Sequence, residues 1–407
     1  MHKIVKTIFQ ETTFKSLLVV LFANLLVLIN YFFDWPLVKF AKLRPQSDFI
    51  DLSAVLKSIE CMQIQNQNIP LDIAYKNCNY LYGSKLISAG SYFNLNSSNT
   101  NIFAWVLLVL TCSMLGLLLN STSLKPKEVM FLALVLTSPA ISLLFERANI
   151  DTLVFILISL AAWLYATKWK FCSFIILSIS ALIKFYTLPL LLLIILVNLN
   201  KRNFFVLFFI GISTSIIVVT DLTRIEKIPS YGFAQFGASV FSWYFDLLGL
   251  QINKLLWLIF GVLITVSLAI CLGKIPRNFV PALDKKHNFI HSTATETIQI
   301  WFSLIFLFCF LSGYNYDYRL IFLAGGGPVL LRVGTSGKAA KFWIIIFALT
   351  LWCSIGIGVT HNGSADLVSY LFLLIQLFGD IATLLWASYL LAFFWKSLSQ
   401  LLKLNYI

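Results

Sequence analysis

The chain has 407 residues, of which 59% are hydrophobic and 12% are charged, and its net charge is +13. A soluble domain carries about a quarter charged residues, so this composition excludes a soluble protein and indicates an integral membrane protein. The positive charge does not indicate nucleic-acid binding, because no long basic run and no nucleic-acid module is present.

Long apolar runs without a two-residue period predict membrane helices, because the backbone of a lipid-embedded segment must satisfy its own hydrogen bonds. The run at 171–199 is too long for one ordinary span and is interrupted by Lys184 and Pro189. We expect a hairpin of two short helices with Lys184 at its outer bend, rather than one kinked span, because the hairpin keeps both flanking basic pairs on the cytoplasmic side. The chain then has about twelve membrane segments and cytoplasmic termini. The runs lie at 16–33, 102–120, 128–145, 151–167, 171–199, 203–220, 254–272, 298–313, 318–331, 341–360 and 367–395.

Two long outer loops interrupt this single membrane domain of residues 1–407, at 34–101 and 221–253. Most lysines and arginines then fall in short cytoplasmic segments, as the positive-inside rule expects, whereas most carboxylates collect on the outer face. In the first outer loop, "DLSAVLKSIECM" predicts a helix with Leu52, Val55, Leu56 and Ile59 on one side. Cys61 and Cys78 share this loop and would pair if it faces an oxidising compartment.

Five polar clusters fall on the outer side of this topology. Each has a structural interpretation. Asp48 and Asp51 would be solvated loop acids or helix caps, Glu146 and Arg147 a local ion pair, and Asn149 a helix cap. Lys184 would reach to the interface, Arg319 would pair with Asp317, and His361 would be structural. Charges at membrane depth are costly and mark substrate paths, so clusters on several helices at one face favour a site. The clusters are Arg44, Asp48 and Asp51; Glu146, Arg147, Asn149 and Asp151; Lys184; Asn315, Asp317 and Arg319; and His361.

The residue types in these clusters favour a phosphate ligand. Arginine matches phosphate through its planar fork, so Arg147, Lys184 and Arg319 suit a lipid phosphate whose tail lies in the bilayer. A carboxylate in the adjoining loop would act as general base for an incoming hydroxyl. After Arg319, "LAGGGPVLL" predicts a helix broken at depth where it lines a cavity.

These motifs resemble those of the GT-C fold glycosyltransferases, and most closely the mannosyltransferase-like glycosyltransferase family 87. The resemblance spans most of the chain and implies an all-α bundle of about 12 membrane helices with a large first outer loop. The matching segments are "SDF" (47–49), "NYLYGSKL" (79–86), "ERANID" (146–151), "KFYTLPLL" (184–191) and "YDYRLIFL" (316–323). Two departures are Ala148, where the family often has glycine, and the lack of paired prolines near "YGSK".

The resemblance implies an inverting transfer of a sugar from a polyprenyl-phosphate donor to a hydroxyl of a lipid or glycan acceptor. The reaction would occur on the outer, periplasmic side of the plasma membrane, as in other cell-envelope enzymes. The catalytic carboxylate maps to Asp48, with Asp51 as the alternative. No cofactor is implied. A divalent metal ion between the carboxylates and the phosphate is compatible with this chemistry, but no spacing demands one. The supporting residues would be Glu146, Asn149, Asp151, Asp317, Tyr318 and His361.

Other classes of membrane protein fit part of the pattern. A secondary transporter or a lipid-linked glycan flippase also has about twelve segments and buried charges, and a polysaccharide polymerase is a third alternative. Against transport, the sequence shows no two-fold repeat, and the polar groups gather at one face rather than the midplane. Asp380 has no role in any of these interpretations; an interfacial helix preceding the last span would bring it to a membrane boundary.

Overall fold

The fold is described from a computed structural model of the chain. The residues it describes are 14–33, 48–65, 84–119, 126–197, 204–222, 235–247, 253–275, 294–312, 315–332, 338–353 and 367–405.

The described residues are almost entirely α-helical. Short 3₁₀ segments lie at Ser97–Asn99, Phe185–Thr187 and Asp317–Leu320, and strands β1 (Gln235–Phe236) and β2 (Asn315–Tyr316) pair antiparallel. The helices are α1 (Phe14–Phe32), α2 (Ile50–Gln65), α3 (Ser84–Tyr92), α4 (Thr100–Leu119), α5 (Pro126–Leu136), α6 (Pro139–Arg147), α7 (Asp151–Ala166), α8 (Lys170–Ile183), α9 (Leu188–Val197), α10 (Phe204–Leu222), α11 (Phe241–Leu247), α12 (Lys254–Lys274), α13 (Ala294–Leu311), α14 (Ile321–Arg332), α15 (Lys338–Trp352) and α16 (Leu367–Asn405).

The all-α class is confirmed, and every predicted apolar run corresponds to one or two of these helices. The hairpin at 171–199 is also confirmed. A β-carbon added at Gly211 of α10 would lie 2.6 Å from Ile195, late in α9, and 3.6 Å from Phe174, early in α8. One kinked span would hold those two side chains far apart, because each residue of a helix adds 1.5 Å of length.

Apolar helices of membrane-crossing length indicate a membrane protein. Among the described residues, four helices are long and apolar enough to cross a bilayer, and a fifth is added if α5 and α6, bent by 53°, count as one span. The bend falls just before Pro139, because the helical conformation is disfavoured for the residue preceding a proline. The remaining apolar helices are shorter, so a GT-C-like bundle of about twelve membrane helices stays a prediction.

The centre of the bundle is aromatic and closely packed. Phe155 of α7 stacks on Phe302 of α13 with ring centroids 4.3 Å apart, and Phe322 of α14 lies against both rings. All three side chains are fully buried. This packing fixes the start of α7 and the start of α14 relative to each other, and the polar clusters lie at those two helix ends.

The prediction that "LAGGGPVLL" breaks a helix is wrong, because α14 runs without interruption from Ile321 to Arg332. The glycines instead allow close helix packing. A β-carbon at Gly325 would lie 2.7 Å from Phe302 and 2.9 Å from Phe155, and one at Gly326 would lie 2.7 Å from the backbone nitrogen of Ser303. Small residues are common at helix contacts in membranes for this reason.

The structure accounts for Asp380, which is nearly buried in α16. Its carboxylate accepts a hydrogen bond from the hydroxyl of Tyr244 in α11. The neighbouring Gly379 packs against the backbone of Cys353, one residue beyond the end of α15. Asp380 lies within the candidate span Leu373–Ser397, and α16 runs through it without interruption, so the expected interfacial helix before a separate last span is not found.

The predicted helix in the first outer loop is confirmed as α2. Its apolar residues Leu52, Val55, Leu56 and Ile59 are all buried, so this face packs on the protein. Cys61 of α2 is disulfide-bonded. Its predicted partner Cys78 lies outside the described residues.

Candidate functional site

A sharp turn between α6 and α7 places three polar residues of "ERANID" at one end of the bundle. α6 ends at Arg147, and Ala148 has the left-handed conformation with φ of 46°. The N–H of Asn149 then bonds to the carbonyl of Leu144, which closes the helix. Because α7 begins at Asp151, the side chains of Arg147, Asn149 and Asp151 emerge at one place.

Asp51, in the first turn of α2, is bound by two of these residues. Arg147 donates from Nε to Asp51 Oδ2 at 2.9 Å and from Nη2 to Oδ1 at 2.5 Å. Asn149 donates from Nδ2 to Asp51 Oδ2 at 2.6 Å. The Arg147 side chain is 31% exposed and the Asp51 side chain 11%. This is the paired, two-bond geometry that arginine forms with carboxylates and phosphates.

The backbone before α2 is tied to the same turn. The N–H of Phe49 donates to the carbonyl of Glu146 at 2.8 Å. Phe49 has φ of 59°, a conformation that is costly for a bulky residue and that clusters at functional sites. Its buried ring is held between Tyr31 and Trp105. The packing of Phe49 therefore positions Asp51 opposite Arg147.

Asp151 forms the centre of a second cluster and is fully buried. Its Oδ1 accepts from the hydroxyl of Tyr186 at 2.5 Å and lies 3.4 Å from Lys184 Nζ. Its Oδ2 lies 3.4 Å from Arg319 Nε. The guanidinium of Arg319 also stands over the Tyr186 ring, 5.3 Å from its centroid. One buried carboxylate therefore holds two cations in place.

Lys184 reaches this cluster from the break in the hairpin. It ends α8 in an extended conformation, with φ of −144° and ψ of 118°, before the 3₁₀ segment Phe185–Thr187. Burial of its ammonium group lowers the pKa of Lys184, and the neighbouring Asp151 carboxylate opposes that shift. The break in the helix is therefore what brings a cation next to Asp151.

Asn149 connects the two clusters. Its Nδ2 donates to Asp51, and its Oδ1 accepts from the backbone N–H of Asp151 at 3.0 Å. The ion pairs described above join two carboxylates to three cations. Three cations are thus gathered at one end of the bundle, and cations of these types bind phosphate and carboxylate groups.

Six of the predicted site residues are brought together in this way: Asp51, Arg147, Asn149, Asp151, Lys184 and Arg319. Arg147 pairs with Asp51, 96 positions away along the chain. Lys184 contacts Asp151 and does not simply reach to the interface. Tyr186 was not assigned a role by the sequence, although it lies within the "KFYTLPLL" segment.

The other predicted residues are placed differently. Asp48 lies in the turn before α2, half-buried, and Glu146 is fully buried at the end of α6. Asp317 lies in the 3₁₀ segment that carries Arg319, but its side chain and that of Tyr318 lie outside the described part of the structure, as does His361.

The described residues contain no group of three or more histidine, cysteine, aspartate or glutamate side chains placed to hold a metal ion.

Comparison with known proteins identifies no relative: no family model, no curated protein and no solved structure matches the chain significantly.

Proposed function

We propose that the chain is an inverting glycosyltransferase that moves a sugar from a polyprenyl phosphate to an acceptor hydroxyl. The observation that carries this proposal is the joined cluster of Asp51, Arg147, Asp151, Lys184 and Arg319. It places a carboxylate whose side chain is 11% exposed in the same joined cluster as three cations. Transfer from a lipid phosphate requires both a proton acceptor and positive groups for the phosphate that leaves.

The two carboxylates have different roles in this proposal. Asp151 is fully buried, so no substrate contacts it, and it orients Lys184 and Arg319 toward the leaving phosphate. The Asp51 side chain is 11% exposed, against 0% for Asp151, and Asp51 acts as the general base. We assign the base to Asp51 rather than Asp48 because Asp51 lies beside Arg147, a cation proposed to hold the leaving phosphate.

In the proposed reaction, the acceptor oxygen attacks the anomeric carbon from the face opposite the phosphate. The acceptor proton passes to Asp51 as the new carbon–oxygen bond forms. The bond between the anomeric carbon and the phosphate oxygen breaks, and its electron pair leaves with the phosphate. Arg147, Lys184 and Arg319 stabilise that charge, and groups arranged in advance for this task usually contribute most to the rate.

We place the site on the outer side of the membrane, with both chain termini in the cytoplasm. Disulfides persist in oxidising compartments, and the disulfide-bonded Cys61 lies on the same helix as Asp51. The proposed environment is therefore the periplasmic or extracellular face, and the acceptor is a lipid or glycan of the cell envelope.

The experiment that tests the proposal uses the purified full chain in lipid nanodiscs. It measures release of polyprenyl phosphate from a panel of polyprenyl-phosphate hexoses and pentoses, with membrane extract as the source of acceptor. We expect turnover with at least one donor, and we expect Asp51→Asn to lower kcat by about 10²–10⁴-fold, the usual contribution of a general base.

The matched control is Asp48→Asn, which makes the same change three residues earlier. Normal turnover by Asp51→Asn together with an inactive Asp48→Asn would transfer the role of base to Asp48. Movement of a lipid-linked sugar across sealed vesicles without any transfer would refute the glycosyltransferase function and favour a transporter.

A further inference from the structure

We propose that Arg147 changes its partner during the reaction. It leaves Asp51 and binds the donor phosphate, and the vacated carboxylate oxygen of Asp51 then receives the proton of the acceptor hydroxyl. This inference rests on the glycosyltransferase function proposed above. It assigns Arg147 and Asp51 to a pair that must separate for the reaction to proceed.

The bonding of the Asp51 oxygens allows this exchange. Among the described residues, Oδ1 accepts a hydrogen bond only from Arg147 Nη2, whereas Oδ2 accepts from both Arg147 Nε and Asn149 Nδ2. When Arg147 leaves, Oδ1 is vacated while Oδ2 keeps its bond to Asn149. Asp51 also lies in the first turn of α2, where the helix dipole stabilises a negative charge. The carboxylate therefore remains stabilised after its cation has left.

The exposure of the three cations identifies Arg147 as the one that moves. Its side chain is 31% exposed, against 11% for Lys184 and 14% for Arg319. The latter two are held on Asp151, which no ligand contacts. The same guanidinium fork binds carboxylate and phosphate, so a phosphate offers Arg147 the same paired hydrogen bonds that it makes with Asp51.

The exchange links donor binding to the proton transfer. Without donor, the Arg147 guanidinium covers both oxygens of Asp51. With donor bound, Arg147 faces the phosphate, Oδ1 accepts the proton of the attacking hydroxyl, and the leaving phosphate carries the electron pair of the broken bond. An acceptor hydroxyl is thus activated only when a donor is present.

The test measures binding of polyprenyl phosphate without sugar to the full chain in nanodiscs. We expect Asp51→Asn to bind it about ten- to a hundredfold more tightly than the wild type, the range of a charge-assisted hydrogen bond. Asp48→Asn should change the affinity by less than about fivefold, because Asp48 is half-buried in the turn before α2 and solvent screens such a charge. Arg147→Gln should weaken binding.

Two outcomes would overturn the exchange: no tightening in Asp51→Asn, or equal tightening in Asp48→Asn, which would indicate general charge repulsion. A wild-type chain that does not bind polyprenyl phosphate would refute the proposed function, and the exchange with it. A cryo-EM structure of the wild type with this probe gives an independent answer that needs no variant. We expect Arg147 bound to phosphate and separated from Asp51, and an intact Arg147–Asp51 pair would refute the exchange.

Discussion

Replacing Asp151 with asparagine should destabilise the protein more than any other single charge removal in the site. The carboxylate is fully buried and faces Lys184 and Arg319, each at 3.4 Å. Asparagine has nearly the same shape, and its amide oxygen can still accept the hydrogen bond of Tyr186. The change therefore removes the negative charge and leaves two largely buried cations behind. Removal of one partner of a buried ion pair costs about 3–5 kcal/mol.

The matched comparison is Asp51→Asn, which makes the same chemical change at a more exposed pair. Its cation Arg147 is 31% exposed and can turn to solvent, so we expect a loss of about 1–2 kcal/mol. The double variant Asp151→Asn/Lys184→Met should recover part of the loss of the single variant, because it also removes one of the two remaining cations.

The assay is unfolding of the purified variants in one detergent and lipid mixture, followed by fluorescence of the 11 tryptophans. The expected order of stability is wild type, Asp51→Asn, the double variant and then Asp151→Asn. If Asp151→Asn is as stable as Asp51→Asn, or if the double variant is less stable than Asp151→Asn, then Asp151 does not hold the two cations as described.

Two further predictions concern helix packing and orientation. Gly326→Ala should lower the yield of folded protein, because its β-carbon would lie 2.7 Å from the backbone nitrogen of Ser303. Gly273→Ala is the control and should be tolerated, because its β-carbon would have no atom within 4 Å. Equal yields of the two variants would contradict this packing. In intact cells, a membrane-impermeant maleimide should label Cys61 only after reduction. It should not label Cys271, a free cysteine near the end of α12 that is cytoplasmic in the proposed topology. Labelling of Cys61 only in inverted vesicles would reverse the proposed orientation.

The helices were predictable, whereas some of their interruptions were not. Lys184 and Pro189 within one long run predict a hairpin, and the structure has one. The "GGGP" segment has the residue types of a helix break, yet it lies inside α14. Glycine permits both a break and a close helix contact, and only the neighbouring Phe302 and Ser303 decide between them.

The candidate site was predicted as a set of residue types rather than as a set of contacts. Asp48 and Asp51 are equivalent in sequence, since both follow the first membrane run at similar distance. The left-handed turn at Phe49 and the start of α2 place Asp51 against Arg147. The sequence analysis assigned no role to Tyr186, because its hydroxyl becomes significant only beside Asp151.

The sequence by itself determined that the chain forms apolar helices, because segments in lipid must satisfy their own backbone hydrogen bonds and therefore carry a strong local signal. It also determined that charged residues interrupt these helices at a few places. Only the tertiary structure decided which charges meet. The pairing of Asp51 with Arg147, and of Asp151 with Lys184 and Arg319, depends on where the ends of distant helices come together. The packing of α7, α13 and α14 around Phe155, Phe302 and Phe322 brings Asp151 near Arg319. The packing of Phe49 against Tyr31 and Trp105 brings Asp51 to Arg147, and no local pattern of residues specifies either arrangement.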